Sequence, residues 1–280
     1  MMVQCITDLI CNFAKLIHGY IALSNIAVNF FLFFIDFIKR IPYNKVKKEK
    51  RKEKMKISEL QKEYDKLQKL YGAKELNSIY NGGCEKNPLI CFVFMNPTGK
   101  NIASSKSWKG PKSPWIGTKN IWDLFIQVDL LNKNIYKEIK SKKGTDWTEE
   151  FAKEVYGDVE NHKYFITNLG KCTQVDARPL NDSVFKVYKN LLEKEIGIVN
   201  PKVIILFGNQ VSSIFLEKKI SVSMTRKEKM IKNINSKEYT CYCVYYPVGN
   251  GRFNIDKSIE DIKWIIEKEK LNQTRLTSLN

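Results

Sequence analysis

The sequence predicts an α/β domain, a three-layer α/β/α sandwich around a central four-stranded parallel sheet, and three observations lead there. Short runs rich in β-branched and aromatic residues recur at Leu89–Met95, Tyr164–Leu169, Val203–Phe207 and Thr240–Tyr246. They are apolar on both faces, as strands buried between helical layers must be. Segments with apolar residues at helical spacing separate them, and strands alternating with helices imply right-handed crossovers with helices on both sides of a parallel sheet.

Taken in order, the first element stands apart from that pattern. From Tyr20 to Ile38 the chain is mostly apolar, interrupted by Ser24, Asn25, Asn29 and Asp36. Its length is close to the roughly 20 residues that a membrane-spanning helix requires. A basic block follows, with Lys39, Arg40, Lys45, Lys47, Lys48, Lys50, Arg51, Lys52 and Lys54. Four readings are open for residues 1–54: a membrane anchor with the rest of the chain on the cytoplasmic side, an amphipathic helix on an anionic membrane surface, a helix packed on the domain, or a start codon assigned too early, with the product beginning at Met55. The folded domain is expected over 55–280.

Ile57, Leu60, Tyr64, Leu67, Leu70 and Tyr71 then recur at helical spacing, and Gly72 supplies a stop. Between the four strands, helices are expected at about Asn120–Val128, Thr148–Tyr156, Asp182–Glu195 and Gln210–Leu216. A last one is expected at about Ile255–Leu271, with Ile259, Ile262, Ile265 and Ile266 on or near one face.

Composition narrows the function classes. The 47 Lys and Arg against 30 Asp and Glu leave a formal charge of +17, which favours polyanionic partners, nucleic acid or an anionic membrane surface. A Lys-rich coding bias would inflate the charge in the same way. The cysteines are Cys5, Cys11, Cys84, Cys91, Cys172, Cys241 and Cys243, an odd count without a C-x-x-C pair. That argues against a secreted disulfide scaffold and for a reduced, cytoplasmic compartment. Cys91, Cys241 and Cys243 fall inside strand runs and are expected as packing residues.

Ligands of such sheets bind beyond the carboxyl ends of the strands. The segments there read Asn96-Pro97-Thr98-Gly99, Thr167-Asn168-Leu169-Gly170-Lys171-Cys172, Gly208-Asn209-Gln210 and Tyr246-Pro247-Val248-Gly249-Asn250-Gly251-Arg252. They are rich in Asn, Gly and Pro and poor in carboxylates. Amide side chains both donate and accept, which suits reading a base edge. Each segment by itself is an ordinary turn.

Together, and in this order, they resemble the uracil-DNA glycosylase superfamily. Asn96-Pro97-Thr98-Gly99 is similar to the Asn-Pro-Gly form of the first motif in the mismatch-specific thymine/uracil branch. Pro114-Trp115-Ile116-Gly117 is similar to the Pro-Phe-Val-Gly of the iron–sulfur branch, and Tyr164-Phe165-Ile166-Thr167-Asn168 with Lys171-Cys172 to that branch's Tyr-Ile-Thr-Asn-Val-Val-Lys-Cys. Asn200-Pro201-Lys202-Val203-Ile204, running to Gly208, resembles its Lys-Pro-Lys-Val-Ile and Gly. Tyr246-Pro247-Val248 with Arg252 lies where the family has His-Pro-Ser and a following Arg. The resemblance covers roughly Leu89 to Arg252.

The resemblance implies roles. Asn96 would position the attacking water, Trp115 would stack on a flipped base, and Asn168 would pair with the uracil edge and exclude cytosine. Tyr246 would stand in the place of the leaving-group histidine, and Lys171 and Arg252 would contact DNA, Arg252 at a phosphate or in the gap left in the stack. The chain departs from the family at the His-to-Tyr change, in lacking a carboxylate at the water-activating position, and in its thiols. Cys172 matches one ligand of an iron–sulfur cluster, but Tyr188 stands about where another belongs and no early cysteine pair is present. No cofactor or metal is therefore expected. The expected activity is that of a monomeric, monofunctional glycosylase of base-excision repair acting on DNA, most simply on uracil. A non-catalytic nucleic-acid-binding module and a glycosylase for another modified base are the alternatives.

Overall fold

The computed structural model describes residues 56–177 and 180–271. The apolar and basic stretch 1–54, with every reading placed on it, lies outside the described residues. Helix α1 (Ile57–Tyr71) buries Ile57, Leu60, Tyr64 and Gln68 along one stripe and stops at Gly72. The strands are β1 (Asn81–Gly83), β2 (Ile90–Phe94), β3 (Tyr164–Asn168), β4 (Val203–Phe207), β5 (Met230–Ile234) and β6 (Lys237–Val244). Between β2 and β3 lie α2 (Asn120–Gln127), α3 (Lys133–Ser141) and α4 (Glu149–Asn161). Then come α5 (Asp182–Val199), α6 (Asn209–Leu216) and, after β6, α7 (Ile255–Lys268). None of the described helices is long and apolar enough to cross a membrane.

The sheet order is β1-β3-β2-β4-β6-β5. The four expected strands form its parallel centre, with β2 between β3 and β4, and β4 between β2 and β6. Two antiparallel edge strands extend the expected four to six. β1 runs against β3, and β5 against β6.

Side-chain alternation divides the core into two layers. Ile90, Phe92, Phe94, Ile166, Val203, Ile205, Phe207, Tyr242 and Val244 face one side, packed with residues of α2, α4 and α7. Cys91, Val93, Phe165, Ile204, Leu206, Cys241 and Cys243 face the other, packed with α5 and α6. The three strand thiols are thus buried packing residues.

Candidate active site

Phe94 is the last residue of β2, and three aromatic rings meet it at the carboxyl edge of the sheet. Phe207, at the end of β4, stacks on it with centroids 4.3 Å apart. Trp115 meets it edge-on at 5.0 Å and Tyr246 edge-on at 6.3 Å. Asn168, the last residue of β3, is directly opposite Phe94 in the ladder. Because strand side chains alternate, Asn168 belongs to the same face as Ile166 and Phe94. The structure therefore brings Trp115, Asn168 and Tyr246 together around one phenyl ring. Asn96 lies two residues beyond that ring, at the same edge.

Each of these side chains is held by its own local structure. Asn96 is nearly buried, and its Nδ2 donates to the Pro97 carbonyl at 3.2 Å. The turn it opens is tied to the segment after β3: Gln174 N donates to Pro97 O at 3.1 Å and Gly99 N to Gln174 O at 2.8 Å. Asn168 is 2 % exposed, and its Nδ2 has no hydrogen-bond partner. An unsatisfied buried donor costs about 1–3 kcal/mol.

Trp115 is partly exposed and has a φ of 69°, a conformation that bulky residues rarely adopt. The flanking carbonyls hold it there. Tyr156 Oη donates to Pro114 O, Asn101 Nδ2 to Ser113 O at 2.9 Å, and Thr118 Oγ1 to Trp115 O at 2.7 Å. Strain of this kind costs on the order of 1–3 kcal/mol and clusters at ligand sites. The indole Nε1 is buried without a partner as well.

Tyr246 follows β6 by two residues. Ser258 at the start of α7 donates to the neighbouring Tyr245 carbonyl at 3.0 Å. Although the ring keeps some exposure, its dense surroundings push the phenol well above the ordinary tyrosine range, so it stays a protonated donor at neutral pH. The chain then turns through a 3₁₀ segment, Gly249–Asn254, that presents Arg252 to solvent. Gly251 makes that turn possible, since a Cβ there would sit 2.0 Å from the Tyr246 carbonyl oxygen.

The segment after β4 is different in kind. Asn209 Oδ1 accepts from Val222 N at 2.9 Å and Gln210 Nε2 donates to Asp182 at 2.8 Å, so both amides are engaged in holding loops.

One expected contact is corrected. Lys171, read from the sequence as a DNA contact, is 0 % exposed. Its Nζ is 2.9 Å from Glu195 Oε2 and bonds to Thr167 Oγ1 beneath the Tyr64 ring. The segment after β3 turns inward against α1 and α5, so a lysine placed there by motif cannot reach a phosphate.

Protein-family comparison matches residues 82–263 to the uracil DNA glycosylase superfamily. The chain belongs to that superfamily. No curated protein matches it. Membership implies DNA as the partner and glycosylase-like chemistry, and the uracil DNA glycosylase fold agrees with the observed mixed, mostly parallel sheet between helical layers.

The described residues do not assemble a ligand set for the iron–sulfur cluster carried by one branch of the superfamily. Cys172 is buried in a cluster with Leu60, Tyr64 and Tyr188, none of which offers a thiolate. Among the described residues no group of His, Cys, Asp and Glu side chains is arranged to hold a metal.

Two residues of the strand-end segments had no sequence signal of their own. Phe94 reads as any strand phenylalanine, and only the folded chain brings Trp115 and Tyr246 edge-on to its ring. Phe253, next to Arg252, is 95 % exposed. A fully exposed phenylalanine beside an arginine is legible only once the turn is known to point outward.

Proposed function

We propose that this domain is a monofunctional DNA glycosylase that takes a flipped uracil against Trp115, beside Asn168, and hydrolyses its glycosidic bond. The observation that carries the reading is the unpartnered Nδ2 of Asn168, buried at a strand end in register with Phe94, whose ring Trp115 and Tyr246 flank. The Asn168 carboxamide would donate to uracil O4 and accept from N3–H. Cytosine presents an amino group where the donor needs an acceptor, and so is refused. Stacking and these edge bonds offset the few kcal/mol that extrusion of the base costs.

In the reaction a water oxygen bonds C1′ as the C1′–N1 bond breaks, and the water proton goes to solvent. The base departs as an anion, accepting a hydrogen bond from the protonated Tyr246 phenol. Asn96 has no charge with which to act as a strong base, so its part is to hold the water in line. Arg252 and Phe253 on the outward turn would engage the DNA around the vacated position. By motif order the chain is nearest the iron–sulfur branch, with a first motif like that of the mismatch-specific branch.

Single-turnover release of free base from single- and double-stranded oligonucleotides carrying uracil, hypoxanthine or a thymine mismatch tests the reading, with uracil expected to be released fastest. Faster release of hypoxanthine or thymine reassigns the base. The Tyr at the histidine position and the absence of a carboxylate at Asn96 favour one alternative, a binding module on the same fold. Oligonucleotide binding with no base released from any substrate would establish it.

A further inference from the structure

Lys171 and Glu195 form an ion pair with side-chain exposures of 1 % and 0 %. Burying two charges costs desolvation energy that their attraction seldom offsets, so such a pair is a poor source of stability. Its placement is specific. Thr167, immediately before Asn168, donates to Glu195 Oε2 at 2.7 Å, and Lys171, three residues after Asn168, reaches both Glu195 oxygens and the Thr167 hydroxyl. Asn81, opposite Thr167 across the β1/β3 ladder, donates to Glu195 Oε1 at 2.7 Å. The carboxylate on α5 thus ties together residues on both sides of Asn168 and the edge strand beside them.

The backbone continues the clamp. Leu169 N donates to Phe94 O at 2.7 Å, Gly170 N to Met95 O at 2.8 Å and Ile79 N to Lys171 O at 3.0 Å. Thr173 N donates to Gln68 Oε1 of α1 at 2.7 Å. Thr167 faces α5 while Asn168, its neighbour, faces Phe94, so the charges lie on the opposite side of the sheet from the proposed base.

We propose that Lys171 and Glu195 are positioning residues, which fix the direction of the Asn168 carboxamide by holding both flanks of its turn from behind the sheet. The inference rests on Asn168 being the base-reading residue, as proposed above. The double variant Lys171→Met/Glu195→Gln removes both charges, while the introduced carboxamide keeps an acceptor oxygen for Asn81 and turns an N–H to the Thr167 hydroxyl, which can accept it.

The test uses the full chain labelled with ¹⁵N-asparagine, with the Asn168 side-chain NH₂ signals assigned by their loss in Asn168→Asp. The parent should give one narrow pair. The double variant should give a broadened or split pair at a similar thermal midpoint, and its single-turnover uracil excision should fall roughly 10–100-fold, with oligonucleotide Kd unchanged. An unchanged Asn168 signal and rate in a folded double variant would overturn the proposal. If that variant does not fold, Thr167→Val, which removes only the clamped hydroxyl, is read in the same way. If the parent releases no base, the glycosylase reading fails by itself, and the amide spectra alone decide the positioning role.

Discussion

Asn96 and Asn168 carry the same carboxamide in different settings. Asn96 opens a turn and commits a donor to its own Pro97 carbonyl, whereas Asn168 ends a buried strand with its donor unpartnered. Asn96→Ala should slow single-turnover excision on the order of 100-fold, a positioning loss, while oligonucleotide affinity barely changes because phosphate contacts dominate binding. A parallel fall in affinity would show that Asn96 binds rather than positions. Asn168 offers the opposite signature. Asn168→Leu removes a buried donor that costs about 1–3 kcal/mol in the free protein, so the thermal midpoint should hold or rise as excision disappears. A lower midpoint would mean that the amide is structural. Tyr246→Phe keeps the ring and deletes the proposed leaving-group donor. A loss of about 2.7–4 kcal/mol in the single-turnover barrier is expected, as for other single donors of this kind. With its phenol pushed above the ordinary range by burial, Tyr246 should keep its proton as pH rises through about 8 to 9, below even the ordinary tyrosine value, so the parent rate should show no alkaline decline from this group. An unchanged rate in Tyr246→Phe would remove it from the chemistry.

At the scale of elements, the parts that escaped the sequence reading share a cause: none carries a long apolar run. β1 is Asn-Gly-Gly, and its glycines are there for room. A Cβ on Gly82 would meet the Tyr156 ring at 2.2 Å. One on Gly83, at φ 97°, would meet the Tyr164 carbonyl oxygen at 2.5 Å. β5 is half exposed and pairs with β6 through the two-residue turn Asn235-Ser236, both residues at positive φ. α3 is a short surface helix that buries only Ile139. Two glycine substitutions separate the roles of these elements. Gly83→Ala should destabilise the domain by at least about 1–3 kcal/mol, the cost of backbone strain to which the Cβ collision adds, seen as a lower denaturation midpoint. Gly251→Ala collides with the Tyr246 carbonyl in an exposed turn, so it should impair excision with a much smaller shift in midpoint. Equal destabilisation by both would deny the Gly249–Asn254 turn a separate part in function.

For the whole molecule, the net charge of +17 and the superfamily assignment point to DNA, and affinity should fall steeply with added salt through counterion release. A chain beginning at Met55 should excise at the rate of the full chain, since every matched motif lies downstream. Loss of excision with the fold intact would tie residues 1–54 to the chemistry. By itself the sequence determined the α/β class, the four central strands, most helices within a few residues, and the strand-end motifs, because periodicity and turn chemistry are local and survive in one dimension. Only the tertiary structure decided which strand-end residues share a face. Parallel register put Asn168 opposite Phe94, the loop before α2 brought Trp115 in with a left-handed backbone, and a turn built on Gly251 exposed Phe253. It also reversed Lys171, whose neighbours in space, Glu195 and Tyr64, are distant in the chain. Burial is a property of such non-local contacts, so no motif could reveal that this lysine faces inward.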